Sequence, residues 1–442
     1  MTKNLYERGE PYTKKKWNII RAQIFIVNVL NKFPGLIKIA KYLLDFVRIM
    51  NYQRRSKNFS TYNEINIDKI YWVQPQKIQY ASLREFDVLT DKGKEINGDW
   101  DLLKRPFEEL DVYIAFKEHF HEGKKWETTV FYKRILNNIH QGEYLWGCKN
   151  ETDFNIRLHK LDNLFESIKN NGYKTQQELL TDPNKPDPIK LEDEIAVNIG
   201  RNGDLLFNNG AHRLCIAKLL NTPKIPIKIT VRHSQWMDFK RQILLYAKNQ
   251  ITRKIYHPIT HIDLQDIPSF HTEKIDRFNI MQSHLSHKKG TLLDIGSYWG
   301  YFCHRFEDIG FTCYAVENDH VNLYFLEKLK RADNKTFEII PKSIFNCKEI
   351  KYIDFDVVLA LNIFHHFLKT KESYDKFIDL LQNLHTKEMF FEPHLPEEFN
   401  DNNVYKNYTE DEFVQLILKN TTLKKSQEIG KAQDGRKIFK FS

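Results

Sequence analysis

Runs of apolar residues and the polar breaks between them divide this chain into three stretches of different periodicity. In the last third, short apolar runs of strand length alternate with amphipathic stretches. Thr291–Ile295, Thr312–Val316, Phe337–Ile340, Phe355–Asn362 and Met389–Pro393 read as buried strands, and Tyr374–Leu384 places its apolar residues at helical spacing. Buried strands alternating with helices predict parallel βαβ units. The pattern then changes. Thr409 and Glu412 form a capping box ahead of Phe413–Leu418, and Leu423–Ile429 and Lys437–Phe441 flank the turn pair Asp434-Gly435, so a helix followed by an antiparallel hairpin closes the sheet.

The middle stretch, residues 60–250, predicts a smaller α+β unit. Ile195–Ile199 reads as a strand, Asn202-Gly203 as a turn followed by a short strand, and Asn209-Gly210 as the start of a helix carrying Leu214, Ile216, Ala217 and Leu220. Ile225–Val231 follows as another strand, and Tyr71–Ile78 is the candidate opening strand. Asp99 and Asp101 are carboxylates able to hold a metal together with nucleotide phosphates, although no spacing in the chain requires a metal. The joint to the last third falls near 251–270, punctuated by Pro258 and Pro268.

Residues 1–58 read as a basic amphipathic helical segment. Ile19–Leu30 and Leu36–Met50 are apolar, broken at Pro34-Gly35 and flanked by Lys14, Lys15, Lys16, Arg54 and Arg55. Neither half reaches the roughly 20 apolar residues that cross a bilayer. Residues 14–55 therefore suit peripheral contact with a membrane surface, or packing on the protein's own core or another subunit.

The length of 442 residues allows two or three domains. Thirteen Lys and Arg against three acids fall in the first 60 residues, which leaves the rest of the chain near neutrality despite its net charge of +9. A nucleic-acid partner is thus not implied, and a DNA-binding, partition-type protein is disfavoured. Five cysteines, an odd number without Cys-x-x-Cys spacing, indicate neither a disulfide scaffold nor a zinc site. With no cleavable signal peptide evident, a cytoplasmic location is expected, with residues 14–55 suited to peripheral contact at the membrane.

Chemistry concentrates at Asp294-Ile-Gly296-Ser297-Tyr-Trp-Gly300, where a strand turns through glycine into a helix start. Such a junction places a ligand over backbone N–H groups. Glu317 ends the next strand, twenty-three residues after Asp294, where an acid accepts hydrogen bonds from ribose hydroxyls. Together with the Leu361-Asn-Ile-Phe-His-His366 segment, this order of features in residues 278–442 resembles the class I S-adenosylmethionine-dependent methyltransferases. The family turn is often Gly-x-Gly-x-Gly. Here Tyr298 and Trp299 make it a bulkier variant.

The resemblance implies a doubly wound, Rossmann-like domain over 270–442. It implies that Asp294, Gly296, Ser297 and Gly300 hold the amino-acid part of S-adenosylmethionine, Glu317 the ribose, Ile344 with Phe345 the adenine, and that Asn362 faces the donor. His365 and His366 fall where the acceptor sits. One of them serves as a base, or else they cap a helix or fill a core gap. Glu392 and His394 are further candidates at the same sheet edge.

The segment around Gly210-Ala-His-Arg213 resembles the ParB/sulfiredoxin-like fold, with Ala211 at the position where sulfiredoxins use cysteine. That likeness implies either nucleotide binding through Gly210, His212 and Arg213, or a degenerate domain that positions substrate. The expected function is methyl transfer to an O or N atom of a small-molecule or glycan/lipid-linked substrate. The alternative is a phosphotransferase or nucleotide hydrolase seated in the middle unit.

Overall fold

The computed structural model describes residues 66–142, 148–179, 194–272, 277–347, 349–395 and 404–442, with isolated positions between 43 and 50. The basic amphipathic segment of residues 1–58 lies outside the described residues apart from those positions. Among the described residues no helix is long and apolar enough to cross a membrane.

The middle unit is built on strands β1 (Tyr71–Val73), β2 (Tyr80–Ser82), β3 (Lys94–Ile96), β4 (Lys104–Pro106), β5 (Ile195–Ile199), β6 (Leu205–Asn209) and β7 (Ile225–His233). They form one mixed sheet in the order β1-β7-β5-β6-β2-β4, with β3 also on β7. Every residue of β5 is buried, as the unbroken apolar run Ile-Ala-Val required for a central strand. Helices α1 (Asp111–Phe120), α2 (Val130–His140), α3 (Glu151–Asn171) and α4 (Ala211–Leu219) accompany the sheet, followed by α5 (Ser234–Lys248). The strand, turn, strand, helix and strand expected between 195 and 233 are all present.

The last third holds α6 (Arg277–Ser283), β8 (Gly290–Ile295), α7 (Tyr301–Asp308), β9 (Phe311–Val316), α8 (His320–Ala332), β10 (Glu338–Ile340), β11 (Phe355–Leu361), α9 (Lys371–Asn383), β12 (Thr386–Glu392), α10 (Glu410–Asn420), β13 (Ser426–Lys431) and β14 (Lys437–Phe441). The sheet order is β10-β9-β8-β11-β12-β14-β13. Strands β8 to β12 are parallel, and β14 inserts antiparallel between β12 and β13. The Thr409–Glu412 capping box starts α10. Because β9 and β10 lie to one side of β8 and β11 to the other, the order reverses at β8. A crevice opens there beyond the carboxyl ends of the strands.

The two units share one apolar core, which runs from the middle sheet through Trp236 and Phe239 to Trp299, Phe325 and Ala332. Gly203, at the β5–β6 turn, marks a close approach: a Cβ there would lie 2.6 Å from Ala332 and 2.7 Å from Trp236.

The segment 251–270, expected as a joint, is a strap buried against both units rather than a linker. Ile255, Ile259, Leu264 and Ile267 are core residues. Asp263 accepts from the Arg232 guanidinium at 2.7 and 3.0 Å and from the Trp236 indole at 2.9 Å, and Lys240 donates to its carbonyl at 2.9 Å. On the other side, Thr260 bonds His304 and Asp333. Arg232 and Lys240 hold the Asp263 carboxyl well below the usual carboxylate range in spite of its burial. Asp263→Asn leaves two buried cations without a counter-charge. It is expected to lower stability by about 3–5 kcal/mol in urea unfolding at neutral pH, and a loss under about 1 kcal/mol would show that the strap is not held by this ion cluster.

Candidate functional site

A cavity of about 600 Å³ occupies the crevice. The carboxyl ends of four strands contribute to it: Asp294 in β8 with Gly296, Ser297 and Tyr298 after it, Glu317 and Asp319 after β9, Lys342 and Ile344 after β10, Asn362 and His366 after β11. Tyr256 and His257 of the strap form a further wall.

The loop after β8 alternates through left-handed backbone, with φ of +76° at Gly296, +53° at Tyr298 and +78° at Gly300. Gly296 is needed for space as well as for φ, since a Cβ would lie 2.7 Å from Ile363. Gly300 caps α7 and lets it approach α8, where a Cβ would meet Leu326 at 2.5 Å. It is not a wall of the cavity, so its role is packing. Tyr298 is a non-glycine residue in this conformation, a strain of order 1–3 kcal/mol. Three contacts hold it. Its N–H donates to Glu317 Oε2 at 2.9 Å, its hydroxyl lies 3.2 Å from the Tyr246 hydroxyl of α5, and its ring stacks on Trp299 at 5.1 Å.

Glu317 also accepts at Oε1 from the N–H groups of Asn318 and Asp319, both at 2.8 Å. Burial still raises its pKa against these three bonds. Asp294 is 3% exposed, accepts from the Cys303 thiol at 3.8 Å, and is pushed up to about 7 by burial, with a contribution from Glu317. Among the described residues, Ser297 Oγ and Asn362 Oδ1 are buried in this lining without a hydrogen-bond partner. Buried polar atoms of this kind call for a partner, and a polar ligand in the cavity supplies one. Asn362 itself sits at φ +53°, its N–H donating to Glu392 O at 2.9 Å and its amide reaching the Tyr256 hydroxyl at 3.3 Å.

Of the two histidines after β11, His366 lines the cavity and His365 does not. The His365 ring sits tilted against the rings of His366 and His394, and burial lowers its pKa to about 2, so it stays neutral at every physiological pH. Glu392 is fully buried and engaged by Arg277 at 2.8 and 3.0 Å, which makes it a counter-ion and no free base. Tyr256, His257 and Lys342 escaped the sequence reading. His257 stacks on Tyr301 and bonds Arg277 at 3.0 Å. The only local signal for the first two was the Tyr-His-Pro run inside the proline-punctuated segment.

In the middle unit, Gly210 takes φ +90° at the start of α4, with Ile195 Cα 3.0 Å from where a Cβ would lie. His212 stacks on Phe116 at 5.6 Å, and burial lowers its pKa to about 4. Arg213 faces the buried Glu194 carboxylate at 3.5 Å. An anion at this helix start would meet that carboxylate, so the visible work of these three residues is packing and internal charge balance. Asp99 and Asp101 both clamp Arg201, at 2.7 and 2.8 Å.

No family model and no curated protein matches this chain. Among solved structures, monomeric WbdD is similar at 18% identity over 45% of this chain and 48% of its own, with a TM-score of 0.35. WbdD is described elsewhere as a bifunctional kinase-methyltransferase. A magnesium protoporphyrin IX methyltransferase from Synechocystis PCC 6803, solved with bound S-adenosylmethionine, is similar at 10% identity over 37% of this chain and 74% of its own, TM-score 0.28. An S-adenosylmethionine-dependent methyltransferase from Clostridium acetobutylicum ATCC 824 is similar at 10% identity over 37% and 89%, TM-score 0.31. The chain spans about half the length of WbdD.

The raised pKa of Asp294 has a stability consequence of definite sign. Between its unfolded value of 3.8 and its folded value of about 7, the folded protein keeps a proton that the unfolded chain releases. Stability conferred by that proton is complete below the unfolded value and is lost as pH rises through about 7. Asp294→Asn removes this loss. In urea unfolding from pH 5 to 8 the variant should gain on the wild type as pH rises, by about 3 kcal/mol across that range. Parallel curves would mean that Asp294 is ionised throughout.

Proposed function

We propose that the protein transfers a methyl group from S-adenosylmethionine to an oxygen or nitrogen atom of a small or glycan/lipid-linked acceptor. The observation that carries this reading is the meeting of Asp294, Ser297, Glu317, Ile344 and Asn362 in one cavity at the sheet's switch point. The sheet order with β14 antiparallel supports it as well, because an antiparallel pair closes the sheet in the family the sequence resembles.

The residues fit the donor chemically. Asp294 offers a desolvated carboxylate to the donor's ammonium group, and a cation bound there favours the ionised form. Glu317 Oε2 accepts one N–H only and keeps capacity for a ribose hydroxyl. Ile344 and Phe367 give the far end of the cavity an apolar surface suited to adenine. Ser297 Oγ and Asn362 Oδ1 gain partners. When bound, the donor supplies an already activated methyl, so the protein's work is alignment and, where the acceptor needs it, removal of a proton. His366, on the cavity wall beyond Asn362, is the group placed to take that proton. The middle unit, ParB/sulfiredoxin-like in this reading, serves as the scaffold that holds the loop after β8. A cytoplasmic site of action, with residues 14–55 against a membrane surface, belongs to the same proposal.

Calorimetry at pH 8 should give saturable S-adenosylmethionine binding, weakening as pH falls through about 7 and Asp294 takes up its proton. Glu317→Ala should weaken it roughly 10- to 100-fold, as expected for losing hydrogen bonds to a charged group. His366→Ala should leave donor affinity intact while lowering turnover roughly 10²- to 10⁴-fold. Absence of saturable binding to the wild type would contradict the reading.

A further inference from the structure

A second cavity of about 440 Å³ adjoins the first. The two share Tyr256, Tyr298 and Asn362 as lining residues, so these three side chains form the partition between them. One wall comes from Tyr246 at the end of α5 in the middle unit, another from Phe270 and Lys254 of the strap, and a third from Arg436 at the β13–β14 turn. Four tyrosine and phenylalanine rings therefore surround a space whose only charged lining residues, among the described residues, are two cations. Among the described residues no carboxylate lines it. Arg436 is braced by Asp434. Lys254 is exposed and has no ion-pair partner among the described residues. Among the described residues its charge is the uncompensated one at this mouth.

The order of groups along the first cavity says which end meets the second. Ile344 stands at the β10 end, Glu317 beside it at the tip of β9, and Asp294 and Ser297 at β8. Asn362, at the tip of β11, lies on the partition with its Oδ1 buried and unpaired. Resting on the methyltransferase reading above, we infer that this second cavity receives the methyl acceptor, and that the acceptor is a ring-bearing molecule carrying an acidic group, phosphate or carboxylate. The rings offer flat faces to such a molecule, and its anionic end meets the exposed Lys254 and the buried Arg436, whose charge counts for more than it would in open water. The volume lies within the range of small-molecule sites. It follows that the middle unit and the strap take part in acceptor recognition, through Tyr246 and Lys254.

The test uses the full chain. S-adenosylhomocysteine affinity is measured first, so that failure of the donor reading shows by itself. Phenyl phosphate, benzoate and neutral phenol are then titrated into the protein with and without saturating S-adenosylhomocysteine. At least one of the two anions is expected to bind roughly 10-fold or more tightly than phenol. Lys254→Glu, a change on an exposed side chain outside the donor cavity, should weaken the anion roughly 10-fold or more while leaving S-adenosylhomocysteine affinity unchanged. Phenol binding as tightly as the anions, no binding of either anion, or equal anion affinity in Lys254→Glu would each overturn the inference. If S-adenosylhomocysteine does not bind, the donor reading falls, and the titrations without it decide whether the anion pocket stands alone.

Discussion

The site depends on one strained residue being held in place. Tyr298 adopts a backbone conformation that side chains avoid, in the middle of the loop that forms the cavity floor. Glu317 grips its N–H from the neighbouring strand, and Tyr246 meets its hydroxyl from the other unit. Strain of this kind persists only where the surroundings over-determine it. Here the surroundings are an acid at the tip of β9 and a helix of the middle unit, so the shape of the loop is a property of both units together.

This explains why the two units share a core. A loop held by contacts from α5 keeps its shape only if α5 cannot drift from the second sheet. Trp299, next to Tyr298, stacks on Phe325 at 4.3 Å and contacts Tyr246 at 5.0 Å. The close approach at Gly203 and the Asp263 cluster under the strap lock the same interface from further away. The strap is then a structural part of the site, which is why two of its residues, Tyr256 and His257, line the cavity.

Much of this was legible in the sequence where periodicity and local signals agree. The buried strands of the second sheet, the capping box before α10 and the closing hairpin follow from apolar runs, a Thr-x-x-Glu pattern and an Asp-Gly turn. The alternation of Asp294, Gly296 and Glu317 placed the crevice. What the sequence did not carry is long-range. Tyr298 looked like a departure from the glycine turn, and only the contacts with Glu317 and Tyr246 show how a bulky residue keeps the glycine conformation. The strap read as a joint because its prolines break regular structure, while the burial of Ile255 and Leu264 depends on two partners distant in the chain. Glu392 stood at the right strand end for chemistry, but Arg277, over a hundred residues earlier, consumes it. Of the adjacent histidines, one lines the cavity and the other, half-buried, packs beside His394, a distinction that a short turn makes and composition does not.

The most direct measurement is a crystal structure of the full chain with S-adenosylhomocysteine. The account predicts the ribose hydroxyls within hydrogen-bond distance of Glu317, the amino-acid end against Asp294 and Ser297, and the sulfur facing Asn362 with Tyr298 still left-handed. A ligand bound elsewhere, or a loop that abandons the contacts of Tyr298 with Glu317 and Tyr246 to admit it, would contradict the account.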